Sequence, residues 1–276
     1  MRRKTTGQKA FLTFVIIFLL VWSSFPIYWN AMTSIKTRND IFSMVPKFLF
    51  TPDWSAMKTA FTPGSSSVYK YLSNSLIVSL GSTILTLGMA IMAAYSLSKK
   101  RFKYNGIIWI VVLATRLLPP ISTIVPLFLM ASKFKLVDTY VLLICINVAL
   151  NLPFSIWLLK SFFDSIPTEI QEAATVDGCT GFQAVLHIIL PLAAPGIATA
   201  ATFVFIQAWN EFTFAFIFSS SRVTTLPILI AQARGDDIFL WQDMAARTTI
   251  QMIPALLLGL YLQKHLVGGL TTGSIK

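Results

Sequence analysis

The chain alternates between long apolar runs and short polar interruptions. Runs of about 20 residues, the length a helix needs to cross a bilayer core, recur at Phe11–Met32, Ser75–Leu97, Ile107–Met130, Tyr140–Phe162, Pro191–Phe218 and Thr248–Leu266. Each is predicted to be a membrane-spanning helix. Pro26, Pro119, Pro120, Pro126, Pro153, Pro195 and Pro254 fall within these runs. Neighbouring helices in a membrane protein re-satisfy the backbone groups that a proline frees, so kinks are expected, above all at Pro119-Pro120 and Pro153. One interruption carries a pattern of its own: residues 172–196 read EAATVDGCTGFQAVLHIILPLAAPG. Ile170, Ala173 and Ala174 recur at helical spacing, as do Phe182, Val185, Leu186 and Ile189. Gly178 and Gly181 lie between the two sets, where a helix turns or ends, and Pro191 is placed to open the fifth run at a position where its missing N–H costs nothing. The pattern predicts two short helices joined by a turn, lying along one membrane face. Such an element suits a groove on a partner protein; an interfacial helix resting on lipid is the alternative.

Composition supports the membrane reading. Only 12% of the 276 residues are charged while 55% are hydrophobic, against about 25% charged in soluble domains. The mean hydropathy is +0.70. The net charge of +11 is not a nucleic-acid signal, because the bases sit in short clusters between apolar runs. Arg2, Arg3, Lys4 and Lys9 precede the first run, and Lys99, Lys100, Arg101 and Lys103 crowd the second connection. On the opposite side five bases are diluted over residues 36–70. Cytoplasmic loops carry the denser Lys/Arg, so the N-terminus is expected in the cytoplasm and, with an even number of spans, the C-terminus also. The first run is too long for a signal-peptide core and no small-x-small site follows it; it is read as a retained span. The chain is thus expected to be one membrane domain, residues 1–276, with a cytoplasmic loop at 168–190, an outer loop at 219–247 and a cytoplasmic tail at 268–276.

Several chemistries find no support. A phosphate-binding P-loop is absent: Gly268 and Gly273 have the spacing, but Ser274 stands where the lysine is needed. Cys145 and Cys179 are placed unlike a disulfide pair, and His187 and His265 form no ligand pattern. No metal and no bound cofactor are expected.

Ionisable groups inside spans cost roughly 2.5–3.5 kcal/mol at the centre on insertion scales and normally face the protein interior. Arg116 lies mid-way along the third run. Asn147 and Asn151 share one helix face in the fourth, and Gln207, Asn210 and Glu211 follow i, i+3, i+4 in the fifth, beside Trp209. These groups would suit a water-accessible cavity for a polyhydroxyl ligand. The alternative is a structural network, with Arg116 paired to Glu211 and the asparagines bonding neighbouring helices. In the outer loop, apolar Leu226–Ile230 and Ile238–Trp241 flank a turn signal, Arg234-Gly235-Asp236-Asp237.

The segment Glu172-Ala173-Ala174, three residues, Gly178, nine residues, Ile188, one residue, Leu190-Pro191 resembles the EAA loop of binding-protein-dependent ABC importer permeases. Trp209-Asn210-Glu211 and the ending GGLTTGSIK look like the carbohydrate subfamily, in particular the maltose-type smaller permease subunit. The resemblance implies an all-α membrane protein with the ABC type I importer permease fold: six transmembrane helices and a cytoplasmic coupling helix. It implies that Glu172, Ala173, Ala174, Asp177, Gly178, Leu190 and Pro191 couple the chain to the ATPase, Glu172 pairing with an arginine there. The tail would reach between the ATPase subunits, and residues 234–237 would meet a solute-binding protein. The partners implied are a second homologous permease, a dimer of cytoplasmic ATPase subunits holding ATP and magnesium, an extracytoplasmic binding protein and a carbohydrate. The location implied is the bacterial inner membrane. Importers of polyols or glycerol phosphates belong to the same subfamily, and an ion-coupled transporter or a membrane-embedded enzyme are rivals from other classes. No paired carboxylates, His cluster or nucleophile–base arrangement favours the enzyme.

Overall fold

The computed structural model describes residues 6–64, 67–99, 104–117, 119–233 and 240–272. Every regular element among them is helical. Among the described residues, three helices are long and apolar enough to cross a membrane: α1 (Thr6–Thr33), α4 (Val68–Lys99) and α7 (Tyr140–Asp164). Two bent helix pairs bring that number to five if each pair is one span. The sixth expected segment lies in α14 (Trp241–Thr272), which at 32 residues is about 48 Å long.

The third and fifth runs are broken rather than continuous. In the third, α5 (Asn105–Ala114) passes through a tight turn at Thr115–Leu117 and another at Pro120–Thr123 into α6 (Ile124–Lys133). The Pro119-Pro120 pair supplies the reason, since neither ring nitrogen donates a hydrogen bond and each disfavours helix in the residue before it. The other internal prolines act differently. Pro26, Pro153 and Pro254 lie inside uninterrupted helices α1, α7 and α14, and Pro195 occupies the first turn of α11 (Ala194–Trp209), where it is tolerated.

The chain divides into two compact units, residues 1–69 with 229–253 and residues 70–228 with 254–276. In the first, α1 leaves most of its apolar side chains exposed and reaches α14 through a polar side chain near its carboxyl end. Asn30 Nδ2 donates to Ala245 O at 3.2 Å and to Thr249 Oγ1 at 3.0 Å. The connection after α1 holds two short helices, α2 (Arg38–Ile41) and α3 (Ser55–Phe61).

The second unit is organised around α7. One end of α7 packs Leu143 and Ile146 with Val78 of α4 and Phe218 of α12 (Thr213–Phe218); the other packs Leu159 and Phe163 with Ala90, Ala94 and Ile189. Small residues bring the helix axes close, as is usual where lipid offers no competing hydrophobic drive. At Gly196 an added Cβ would lie 2.4 Å from the Phe162 ring, and at Gly81 2.8 Å from Ile144. The hydroxyls of Ser79, Thr83, Thr199 and Thr202 are buried in this unit and donate to carbonyls four residues back, so their burial leaves no orphan donor.

Candidate functional site: the helix–turn–helix at residues 168–192

The patterned interruption forms the expected two helices and turn. α8 (Thr168–Val176) begins after Pro167 and carries Glu169 in its first turn, where a carboxylate complements the helix dipole. Its end is set by backbone geometry. Cys179 N–H donates to Ala174 O at 3.0 Å and Gly178 N–H to Thr175 O at 3.1 Å, the paired bonds of a Schellman cap. That cap needs a left-handed residue, and Gly178 has φ +88°. Thr180 then opens α9 (Gly181–Ala184) with a capping box: Gln183 N–H donates to Thr180 Oγ1, and Thr180 N–H donates to Gln183 Oε1 at 2.8 Å. The helical run widens into a π turn at Val185–Ile189 and continues as α10 (Leu190–Leu192). It meets α11 at 74°. The fifth run therefore does not open at Pro191; the residue sits in the first turn of α10, within a helical run that begins at Gly181.

The element presents a defined outer surface. Ala174 is buried and Ile170 packs against the core of the second unit, whereas Glu172, Ala173, Asp177 and Gly178 are exposed. Glu172 and Val176 share one face of α8. Val176 is 88% exposed and Phe182 73%. A carboxylate without a hydrogen-bond partner among the described residues thus stands beside the uncovered Val176, on an element that also leaves Phe182 exposed. Surface of that kind marks an interaction site more often than a solvated face. Leu190 is half-buried and Pro191 exposed.

The polar residues of the spans take different local surroundings. Arg116 is exposed and its guanidinium lies 5.1 Å from the centroid of the Phe154 ring; it does not pair with Glu211. Glu211 instead caps α12, accepting from Phe214 N–H at 2.7 Å and Ala215 N–H at 2.9 Å. The expected i, i+3, i+4 face does not exist as such, because α11 ends at Trp209 with Asn210 as its cap. Asn147 and Asn151 are buried, but each amide donates to its own helix, to Leu143 O at 3.0 Å and Asn147 O at 2.8 Å, not to a neighbour. Trp209 is buried against Phe205. Gln207 and Asn210 are exposed.

In the expected outer loop, apolar Leu226–Ile230 falls in helix α13 (Leu226–Ala231). Arg234, Gly235, Asp236 and Asp237, Ile238, the basic residues 2–4, 100, 101 and 103, and the last four residues of the tail lie outside the described residues. The backbone of Gly268–Thr272 continues α14.

Sequence reasoning missed the clamp on the segment before α13. Asp138, at φ +62°, accepts backbone N–H bonds from Ser220, Ser221, Arg222 and Val223. Burial alone would raise its pKa; the four N–H groups outweigh that and hold the carboxyl well below the usual carboxylate range. Asn74 adds two donors, to Arg222 O and Thr224 O, and accepts from the Tyr140 hydroxyl at 2.6 Å. A single acid in a short turn carries no such signal; the donors come from more than 80 positions away.

The exposed helix–turn–helix thus runs directly into the second of the two broken helix pairs. Residues 84–271 match the family described as binding-protein-dependent transport system inner membrane component. The chain is 35% identical over 273 residues to a probable ABC transporter permease protein, y4oR, of Sinorhizobium fredii, covering 99% of this chain and 97% of that one. It is 34% identical to the sulfoquinovosyl glycerol transport system permease protein SmoH of Agrobacterium fabrum (94% and 90% covered). To the trehalose/maltose transport system permease protein MalG of Thermococcus litoralis it is 33% identical (99% of each). Among solved structures, a bacterial ABC transporter involved in import of the acidic polysaccharide alginate shares the fold, with a TM-score of 0.78 at 18% identity, covering 96% of this chain and 99% of that one. The chain belongs to the family of inner-membrane components of binding-protein-dependent transport systems. It is a multi-pass membrane protein of the permease type.

Proposed function

We propose that the chain is the permease subunit of an ATP-driven importer that moves a carbohydrate delivered by a soluble binding protein. The observation that carries this reading is the exposed surface of α8, where Glu172 and Val176 stand clear of the protein on a helix rooted by Ile170 and closed by Gly178. A permease works by switching between states that different contacts favour. With no nucleotide site of its own, it must receive that switch mechanically. A rigid helix gripped through a charge-assisted bond to an arginine and through Phe182 transmits a rotation that a loose loop would absorb.

In this reading ATP and magnesium are held by a partner ATPase dimer, and the chain catalyses no covalent step and binds no cofactor. The exposed apolar side chains of α1 and the exposed Arg116, Gln207 and Asn210 are left for a second, homologous permease or the substrate path. The clamped segment at residues 220–226 and the turn at 234–237 face the binding protein, and both termini and α8 are cytoplasmic. The relatives named for trehalose/maltose and sulfoquinovosyl glycerol support a sugar or glycoside substrate; a polyol or glycerol phosphate is the alternative within the same importer class.

The test is co-purification of the chain with its ATPase and second permease in native and Glu172→Ala forms, followed by ATP hydrolysis with binding protein and a sugar panel. The native complex is expected to assemble and one sugar to stimulate hydrolysis, with assembly or stimulation lost in Glu172→Ala. A native chain that binds no ATPase overturns the reading and leaves ion-coupled transport.

A further inference from the structure

At the carboxyl end of α1 a cavity of about 480 Å³ opens inside the first unit. That size falls within the range of roughly 300–1,000 Å³ typical of small-molecule sites. Its lining includes Trp29, Asn30, Thr33, Lys36, Asp40 and Trp241. Lys36 is the unusual member, because it is only 2% exposed. Its ammonium stands 4.3 Å from the centroid of the Trp29 ring and 5.2 Å from that of Phe50. Among the described residues it has neither an ion-pair partner nor a hydrogen-bond acceptor; the ion pairs there are Lys47–Asp40 and Lys160–Asp164. Asp40 shares the cavity wall but is engaged: one carboxylate oxygen accepts from Lys47 at 2.7 Å and the other from the Thr37 hydroxyl at 2.6 Å.

A buried ammonium is costly unless it is paired and hydrogen-bonded, and aromatic faces offset only part of that cost. Three N–H donors therefore remain for whatever occupies the cavity. Within the lining Lys36 and Asp40 balance formally, but Asp40 is bonded to Lys47 from outside the lining, and Lys36 reaches Asp40 only as a longer-range charge. Two indoles supply flat apolar surface of the kind that packs against the C–H face of a sugar ring or a glycerol backbone.

We propose that this cavity is a binding site for an oxyanion, carboxylate, sulfonate or phosphate, carried on a hydroxylated body. Lys36 is its counter-ion, and Trp29 and Trp241 are its walls. An acidic sugar and the headgroup of a phospholipid both present that chemistry.

The experiment uses the full chain with its partner subunits in nanodiscs of zwitterionic lipid, without ATP, so that failure here leaves the importer reading standing. Methyl glucuronide, methyl glucoside and glycerol 3-phosphate are titrated, with binding followed by saturation-transfer NMR. The native protein is expected to bind at least one anion about tenfold or more tightly than the neutral glucoside. Preference for the glucuronide assigns the site to an acidic sugar; preference for glycerol 3-phosphate is followed by titration of a short-chain phosphatidylglycerol, whose tighter binding assigns the site to a lipid headgroup and whose weaker binding assigns it to a soluble phosphate. Lys36→Met should abolish the preference and Lys36→Arg retain it. Should Lys36→Met fail to assemble, Thr33→Asp, which sets a carboxylate in the cavity wall, should abolish anion binding instead. Equal affinity for the glucoside and both anions, or an anion preference that survives in a folded Lys36→Met or Thr33→Asp protein, overturns the proposal.

Discussion

Asp138 shows how one side chain holds a loop whose sequence carries no trace of the arrangement. Its carboxylate gathers four backbone N–H groups from residues 220–223. Because its folded pKa is depressed, the stability it contributes is fully present above the ordinary value of 3.8 and is lost as pH falls through the lower folded value. Asp138→Asn keeps a side chain that tolerates the left-handed backbone but removes the charge. We expect this substitution to lower the unfolding midpoint at neutral pH, by about 1–3 kcal/mol of stability. The gap between native and variant should close as the solution is acidified below the carboxylate range. A gap that stays constant as the pH is taken from 7 to well below 3.8 and on through the lower folded value would show that the charge does not hold the clamp. Gly178 is the contrasting case, since a glycine between two helical patterns is legible as a turn, and the structure adds only its positive φ.

At the scale of elements, the close approach of α7 and α11 rests on Gly196. A methyl there overlaps the Phe162 ring at 2.4–2.8 Å, so Gly196→Ala is expected to cost about 1–3 kcal/mol through overpacking. Gly88→Ala, in open space within α4, should be neutral or slightly stabilising. Equal thermal midpoints for the two variants in detergent would mean that α7 and α11 do not pack this closely. Glu211→Ala should likewise act on structure, loosening the start of α12 and lowering the midpoint by about 0.5–2 kcal/mol; an unchanged midpoint with altered sugar selectivity would return the residue to the substrate path. The two breaks differ in legibility. Pro119-Pro120 announces its break because the missing donors are written in the residue type. Nothing equivalent marks residues 210–212: Gln207, Asn210 and Glu211 read as one helix face, and only the fold reveals that the glutamate caps a new helix. The opposite error applies to Pro26, Pro153 and Pro254, which look like interruptions yet sit in continuous helices.

For the whole molecule, the proposed orientation has a direct readout. In a Cys145→Ala background, a membrane-impermeant maleimide should label a cysteine introduced at Ser220 in intact cells. Native Cys179, in the turn after α8, should be labelled only once the membrane is opened. The reverse pattern would invert the topology and remove α8 from any cytoplasmic ATPase. The apolar runs and the helix–turn–helix were legible in the sequence alone, because hydropathy, glycine and proline act locally and leave their mark in neighbouring residue types. The tertiary structure decided the rest: that Glu211 caps rather than pairs, that Asn147 and Asn151 bond their own helix, and that Lys36 is buried against two aromatic rings beside a cavity. Those contacts are short in sequence, but which of several local partners each side chain takes depends on where the helices end and what packs on them; the Asp138 clamp on residues 220–223 and the cavity lined by both Trp29 and Trp241 join segments far apart along the chain, and no local pattern records such a meeting.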